Sequence, residues 1–124
     1  MTTDVEPVLQ AAALPYRDNK ICLISTRSGK GMILPKGHIP EGLQPSQLAE
    51  REAWEEAGLI GRIERRPFGN YSFLKLGQEH SVQVHLLKVS KEAYSWPEQR
   101  FRQKISCSID RAIERVSHVE LRVL

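Results

Sequence analysis

The stretch that most limits the folding of this chain is residues 45–58, PSQLAEREAWEEAG. Pro45 suits a first helical turn, and Gly58 suits the left-handed residue that closes a helix. Ala49, Ala53 and Ala57 recur every four residues, a small-residue stripe that lets such a helix lie close against a sheet. At 100° per residue, Glu52, Glu55 and Glu56 fall within an arc of about 100° on one face. Like charges four residues apart cost about a few tenths of a kcal/mol in an isolated helix, so a compensating partner is expected. Hard divalent cations such as Mg²⁺ or Mn²⁺, which prefer carboxylate oxygens, suit that role. A solvated acidic face is the other reading of three glutamates taken alone.

Strand signals surround this helix. Val8–Tyr16 and Lys20–Thr26 are joined by the turn-forming Arg17-Asp18-Asn19, and Ile21 to Ile24 is an apolar run expected of a strand covered on both faces. Met32-Ile33-Leu34 is followed by Pro35 to Pro45, read as a loop of defined shape. Leu59–Arg66, Phe68–Leu76 and Ser81–Val89 read as strands, the last two joined around Gly77-Gln78-Glu79-His80. Ser108–Val116 places Ile109, Ala112, Ile113 and Val116 on one face of a second helix. The order predicts a mixed α/β fold. With 124 residues, no internal repeat and no linker, one domain over 1–124 is expected.

Composition excludes other classes. A hydrophobic content of 40% with 27% charged residues is that of a globular protein rather than a disordered or coiled-coil chain. No stretch approaches the about 18 apolar residues of a spanning helix, and the acidic start Met1-Thr-Thr-Asp-Val-Glu is unlike a signal peptide. Cys22 and Cys107 lack metal-site spacing and cannot make a disulfide framework, so they read as small hydrophobes in a reducing, cytoplasmic setting. Residues 1–58 carry six Lys/Arg and eight Asp/Glu, a net −2, and residues 59–124 carry twelve and seven, a net +5. An acidic cluster in a basic chain suits a site that holds cations and an anionic ligand together, although charge alone also describes a solvated surface.

Gly37, followed after a fixed gap by Arg51-Glu52-Ala53-Trp54-Glu55-Glu56-Ala57-Gly58-Leu59, resembles the signature of the Nudix hydrolase family, G-x5-E-x7-R-E-U-x-E-E-x-G-U with U a bulky aliphatic residue. The match spans Gly37 to Leu59 and departs from the pattern at Leu43, where the family has its first glutamate, and at Ala53. The resemblance implies an α/β/α sandwich with a mixed β-sheet and metal-dependent hydrolysis of a diphosphate linked to another moiety. By resemblance Glu52 and Glu56 are metal ligands, Glu55 is a ligand or water-activating group, and the Gly37 carbonyl is a further metal contact. Arg51 is the motif arginine; with Leu43 in place of its usual partner, Glu41 or Glu50 are candidate substitutes.

Arg17, Arg27 and Lys36, at strand ends or in the motif loop, are candidate holders of the polyphosphate; each also reads as a surface charge. Leu14-Pro15-Tyr16-Arg17, Pro35-Lys36-Gly37 and Trp96-Pro97-Glu98 look most like the branch that hydrolyses diphosphoinositol or diadenosine polyphosphates, the latter type favoured. Mg²⁺ or Mn²⁺ is the implied cofactor, and the implied partner is an anionic small-molecule polyphosphate. Nucleic acid and membrane are not expected partners, and a monomer or homodimer is. A non-catalytic binding module, motivated by Leu43, and hydrolysis of triphosphorylated RNA 5′ ends are the alternatives. Trp54 reads as packing. Glu79 and His80, placed in a loop, read as a hairpin turn or a base reaching the site. His85 and His118 read as structural, and Arg100, Arg102 and Lys104 as phosphate contacts or a solvated basic edge.

Overall fold

The computed structural model describes residues 6–123. Its spine is a parallel pair. β1 (Val8–Arg17) lies beside β7 (Gln78–Glu92), from Val8 opposite His80 to Tyr16 opposite Lys88. The other pairings between its strands are antiparallel, and an isolated parallel bridge joins Met32 to Val116. The free edge of β1 carries β4 (Lys36–His38) along Gln10 to Ala12 and β2 (Lys20–Ser25) at its far end. The free edge of β7 carries β6 (Gly69–Lys75) along Gln78 to Val84 and β5 (Leu59–Ile63) along Leu87 to Glu92. β2 continues outward to β3 (Met32–Ile33) and to β8 (Lys104–Ser108).

Side chains alternate across a strand, so β1 feeds two cores. Ala11 and Ala13 pack with Leu48, Ala49, Ala53 and Ala57 of α1 (Pro45–Ala57). Ala12 packs on the opposite face with Tyr71, Phe73, Val82 and Val84 and with Ala112 and Val116. Ala112 belongs to α2 (Ile109–Arg115), and a 3₁₀ turn (Val119–Val123) follows it. Small residues on both β1 and α1 let helix and sheet approach closely. The result is the expected α/β sandwich with a mixed sheet.

Some boundaries differ from the sequence reading. Asp18 and Asn19 take positive φ (51° and 63°) in a two-residue turn, while Arg17, read from sequence as part of that turn, ends β1. The second hairpin turns at Leu76 and Gly77 (φ 52° and 77°), so Glu79 and His80 lie in β7 rather than in a loop. Leucine rarely occupies that backbone region, which is why the turn looked longer than it is. The Pro35–Pro45 segment contains the short strand β4, held by β1, and β8 was not foreseen as a strand. Ser108 caps α2 by accepting from the Arg111 N–H at 3.2 Å, but Ile109 and Ile113 of its apolar face are largely exposed. Among the described residues, no helix is long and apolar enough to cross a membrane.

Gly58 ends α1 at φ 66°, and its N–H returns to the Trp54 carbonyl at 2.9 Å. A Cβ there would lie 2.5 Å from the ring of Trp96. Lys104 completes this end: its Nζ donates to the Ala57 carbonyl at 3.0 Å, pairs with Glu92 at 2.9 Å, and sits 4.2 Å from the centre of the Trp96 ring. Lys104 therefore closes a helix instead of forming a solvated edge. Gly58→Ala combines a left-handed alanine with this clash and should destabilise the protein by at least about 1–2 kcal/mol. A lower denaturant midpoint at unchanged slope in an unfolding curve is the expected reading.

Candidate active site

Glu52 and Glu56 occupy successive turns of α1 on the side facing β4. Gly37 of β4 lies so close that a Cβ on it would stand 2.6 Å from Glu52 Oε1, so only glycine leaves the carboxylate its place. A third carboxylate arrives from the segment between β7 and β8. That segment is tied across the end of α1 by the Ala93 N–H to the Gly58 carbonyl (2.8 Å) and the Glu98 N–H to the Glu55 carbonyl (2.9 Å). Carboxylate oxygens of Glu52, Glu56 and Glu98 then lie within 4.8 Å of one another.

A buried guanidinium holds this cluster. Arg102 Nη2 reaches Glu56 Oε2 at 3.4 Å, Nε donates to Glu98 Oε1 at 3.0 Å, and Nη1 donates to the Ser25 carbonyl at 3.0 Å. Its side chain is only 9% exposed, so these contacts are little screened. The Lys36 backbone N–H donates to Glu56 Oε1 at 3.0 Å. Even so, burial pushes the Glu56 carboxyl up to about 8, with Arg102 opposing the rise and Glu52 adding to it. Glu52 is also raised, by burial first and then by the charge of Glu55, while a hydrogen bond with Glu56 works the other way. Burial, more than the balance of neighbouring charges, thus keeps both carboxyls above their ordinary range.

The other expected site residues divide in position. Lys36 and Gly37 sit in β4 at the carboxylates. Arg27 reaches Glu98 at 3.4 Å from a largely exposed position. Glu55 stands outside the trio, 39% exposed on its side chain and 3.8 Å from Arg51. Arg51 therefore pairs with Glu55, and among the described residues neither Glu41 nor Glu50 forms an ion pair with it. Leu43 packs with Ile39 and Ile63 against the apolar cluster beneath α1. Arg17 lies near the far end of β1, about seven strand residues or roughly 23 Å from Gln10, where it lines a different cavity of about 450 Å³ with Lys20 and Lys104. Trp54 is 37% exposed on the opposite side of the helix, beside Leu59 and Ile60. Both nitrogens of buried His85 are bonded, to the Glu64 carbonyl and Gln83, and burial pushes the Cys22 thiol up to about 12.

Sequence reasoning did not assign Glu98 or the role of Arg102. Their only local signal is the i,i+4 spacing of a carboxylate and an arginine, which is common on surfaces. Beside the carboxylates opens a cleft of about 420 Å³, lined in part by Gln10, Arg27, Lys36, Lys75 and Arg102.

Known proteins share this arrangement of helix, loop and sheet. The model of the NUDIX domain matches residues 7–117. The chain belongs to the Nudix family. From Arabidopsis thaliana, "Nudix hydrolase 21, chloroplastic" is 36% identical over 113 residues, covering 82% of this chain and 56% of that protein. "Nudix hydrolase 4" of the same organism is 35% identical over 100 residues, covering 77% and 46%. The chain thus spans about half the length of the curated relatives it matches. In fold it resembles the crystal structure of a C. elegans Ap4A hydrolase, with a TM-score of 0.78 at 22% identity over 95% of this chain and 92% of that one. A Nudix hydrolase from Nitrosomonas europaea gives 0.73 at 22% identity, over 89% and 78%.

The raised carboxyl of Glu56 fixes a pH dependence for this Nudix protein. An acid near 8 when folded and near 4.5 when unfolded binds its proton more tightly in the fold, so its contribution to stability falls as pH rises between those values. The metal-free protein should therefore show a declining Tm from pH 5 to pH 8. A cation held by these oxygens would compete with the proton, so adding Mn²⁺ should then raise Tm more at pH 8 than at pH 6. A series of thermal melts with EDTA or Mn²⁺ checks both; a Tm that climbs steadily across that range in EDTA would contradict the assignment.

Proposed function

We propose that this Nudix protein hydrolyses a phosphoanhydride bond in a nucleoside-diphosphate-linked or inositol polyphosphate substrate, with Mg²⁺ or Mn²⁺. The convergence of Glu52, Glu56 and Glu98 beside a cleft bearing Arg27, Lys36 and Lys75 carries this reading. The relatives named as Nudix hydrolases support the reaction class, and the structural neighbour named as an Ap4A hydrolase supports a polyphosphate substrate.

The donor set fits a hard divalent cation: all-oxygen, crowded, and with Glu56 driven toward protonation by burial first and by the neighbouring Glu52. Glu52, Glu56 and Glu98 would hold the ion, with the Gly37 carbonyl as the further contact that the family resemblance supplies. Such an ion neutralises phosphate oxygens and lowers the pKa of a water. The protein's own groups do the rest. Arg102 fixes Glu56 and Glu98 in place. Glu55, more open to solvent than Glu56, is the proposed proton acceptor from water, oriented by Arg51. Arg27 and Lys36 offer positive charge to the phosphates, and Arg17 has no part in this site. Phosphoryl transfer depends chiefly on such positioning and charge neutralisation. We place the protein in the cytoplasm as one domain; the names of its relatives include mitochondrial and chloroplastic proteins.

A second reading, a Nudix-fold binding module without turnover, draws on Leu43, which joins the apolar core where the family pattern has a glutamate. Product release from dinucleoside polyphosphates, diphosphoinositol polyphosphates, nucleotide sugars and triphosphorylated RNA, each with Mg²⁺, Mn²⁺ or EDTA, separates the two. Metal-dependent turnover that falls at least about 10²-fold in Glu56→Gln, with the fold intact by circular dichroism, is the expected result. Ligand binding with no turnover anywhere in the panel would favour the module. Arg102→Ala should weaken Mn²⁺ binding by about 10–100-fold, as loss of a residue that orients metal ligands does, whereas Arg51→Ala should leave Mn²⁺ affinity near that of the parent. Titration of Mn²⁺ followed by electron paramagnetic resonance measures both.

A further inference from the structure

The strap between β7 and β8 delivers Glu98 and Arg102 to the site but contains no helix or strand of its own, so its course is set by what it is fastened to. It is fastened to the end of α1. That end lacks charge of the right sign: the last turn holds Glu55 and Glu56 and no basic residue, where a helix C-terminus favours cations. The carbonyls left over there are met from the strap. The Glu55 carbonyl accepts from the Glu98 N–H (2.9 Å), the Gly58 carbonyl from the Ala93 N–H (2.8 Å), and the Ala57 carbonyl from Lys104 Nζ (3.0 Å). The cation that the helix lacks thus comes from Lys104, 47 positions along the chain.

The same ammonium closes the strap at its neck. Glu92 is the last residue of β7 and Lys104 the first of β8, and their ion pair at 2.9 Å joins the two. Within the strap, the Trp96 ring lies against Gly58 and 4.2 Å from Lys104 Nζ. From Trp96 the chain turns tightly, with the Gln99 N–H on the Trp96 carbonyl (3.3 Å) and the Phe101 N–H on the Glu98 carbonyl (2.9 Å). A displacement of Trp96 is therefore passed on to Glu98. The Lys104 side chain is 20% exposed, so its contacts are only partly screened.

We propose that Lys104 is a positioning residue for the acidic cluster: by holding Trp96 on the end of α1, it sets the place of Glu98 beside Glu52 and Glu56 and so the affinity of the cluster for a divalent cation. This rests on the reading of that cluster as a metal site. Among the described residues Lys104 pairs with Glu92 and forms no ion pair with Glu52, Glu56 or Glu98, so its influence runs through the strap. Two roles then differ in sign. A lysine acting only as a nearby cation repels a metal ion, and its removal tightens metal binding. A lysine that places a ligand has the opposite effect, and its removal loosens metal binding.

The test is Mn²⁺ titration of the full chain, followed by electron paramagnetic resonance, in a double-mutant cycle with Glu98. Lys104→Met keeps an unbranched stem and removes the charge, and it should weaken Mn²⁺ binding by about tenfold. Glu98→Gln leaves two carboxylates and an oxygen donor in place. In that background Lys104→Met should change Mn²⁺ affinity by less than about twofold, because the ligand it positions is gone. Trp96→Leu, which removes the ring between Gly58 and Nζ, should behave in the same way, and it carries the test if circular dichroism shows Lys104→Met unfolded. Unchanged or tighter Mn²⁺ binding in the folded variant, or an equal loss with and without Glu98, would overturn the positioning role and leave the metal reading standing. A parent chain that binds no Mn²⁺ would overturn the metal reading, and the positioning role with it.

Discussion

The guanidinium of Arg102 makes the carboxylate cluster possible. Glu52, Glu56 and Glu98 share a space of a few ångströms, and Glu56 is almost sealed from water. Gathering like charges under low solvation is costly unless a fixed counter-charge and hydrogen bonds meet them. Arg102 supplies both in one rigid fork, touching two of the carboxylates and the Ser25 carbonyl together. Burial outweighs its charge, and the Glu56 carboxyl still rises to about 8. The fold thus holds a buried acid well above its ordinary range beside a fixed cation, and carboxyls perturbed in this way gather at functional sites.

The parallel pair of β1 and β7 turns this local chemistry into a place in the fold. β1 presents alanines to both faces, so α1 can lie near the sheet and Gly37 can approach Glu52 with no intervening side chain. The same strand carries Gln10, whose side-chain Oε1 accepts from Lys36 Nζ at 3.3 Å, and both side chains line the cleft. On the neighbouring edge, β6 and β7 put Phe73 opposite His80. The cleft lined by Lys36 of β4 and by Phe73 and His80 of this hairpin therefore opens beside the carboxylate that the Lys36 N–H holds.

What the sequence disclosed follows how local each feature is. The helix from Pro45 to Ala57, its stop at Gly58, the three-glutamate arc and the Asp18–Asn19 turn all depend on neighbours within a few residues, and all were legible. Glu98 and Arg102 were not, because their meaning comes from partners more than forty positions away in the chain, Glu56 and Ser25 among them. β8 was hidden for the same reason: Lys104 to Ser108 alternates weakly and becomes a strand by pairing with β2. Arg17 illustrates the opposite failure. Its place at a strand end fitted a phosphate contact, but strand direction carried it to the wrong end of the sheet. Leu43 shows how a motif position can be lost to chemistry and kept for packing.

The order in which the chain leaves the ribosome gives the strap between β7 and β8 a further meaning. Synthesis runs from the N-terminus, and α1 with its glutamates emerges some forty residues before Glu98 and Arg102. Until then the helix has its acidic face and no guanidinium to meet it. The nascent Nudix fold can gather β1, α1 and β7 around apolar contacts alone, and its acidic centre is completed only when the last strand is drawn in beside β2. The counter-charge of the acidic cluster is thus the part that translation finishes late, and a chain stalled near residue 95 would carry the glutamates of α1 without the residue that steadies them.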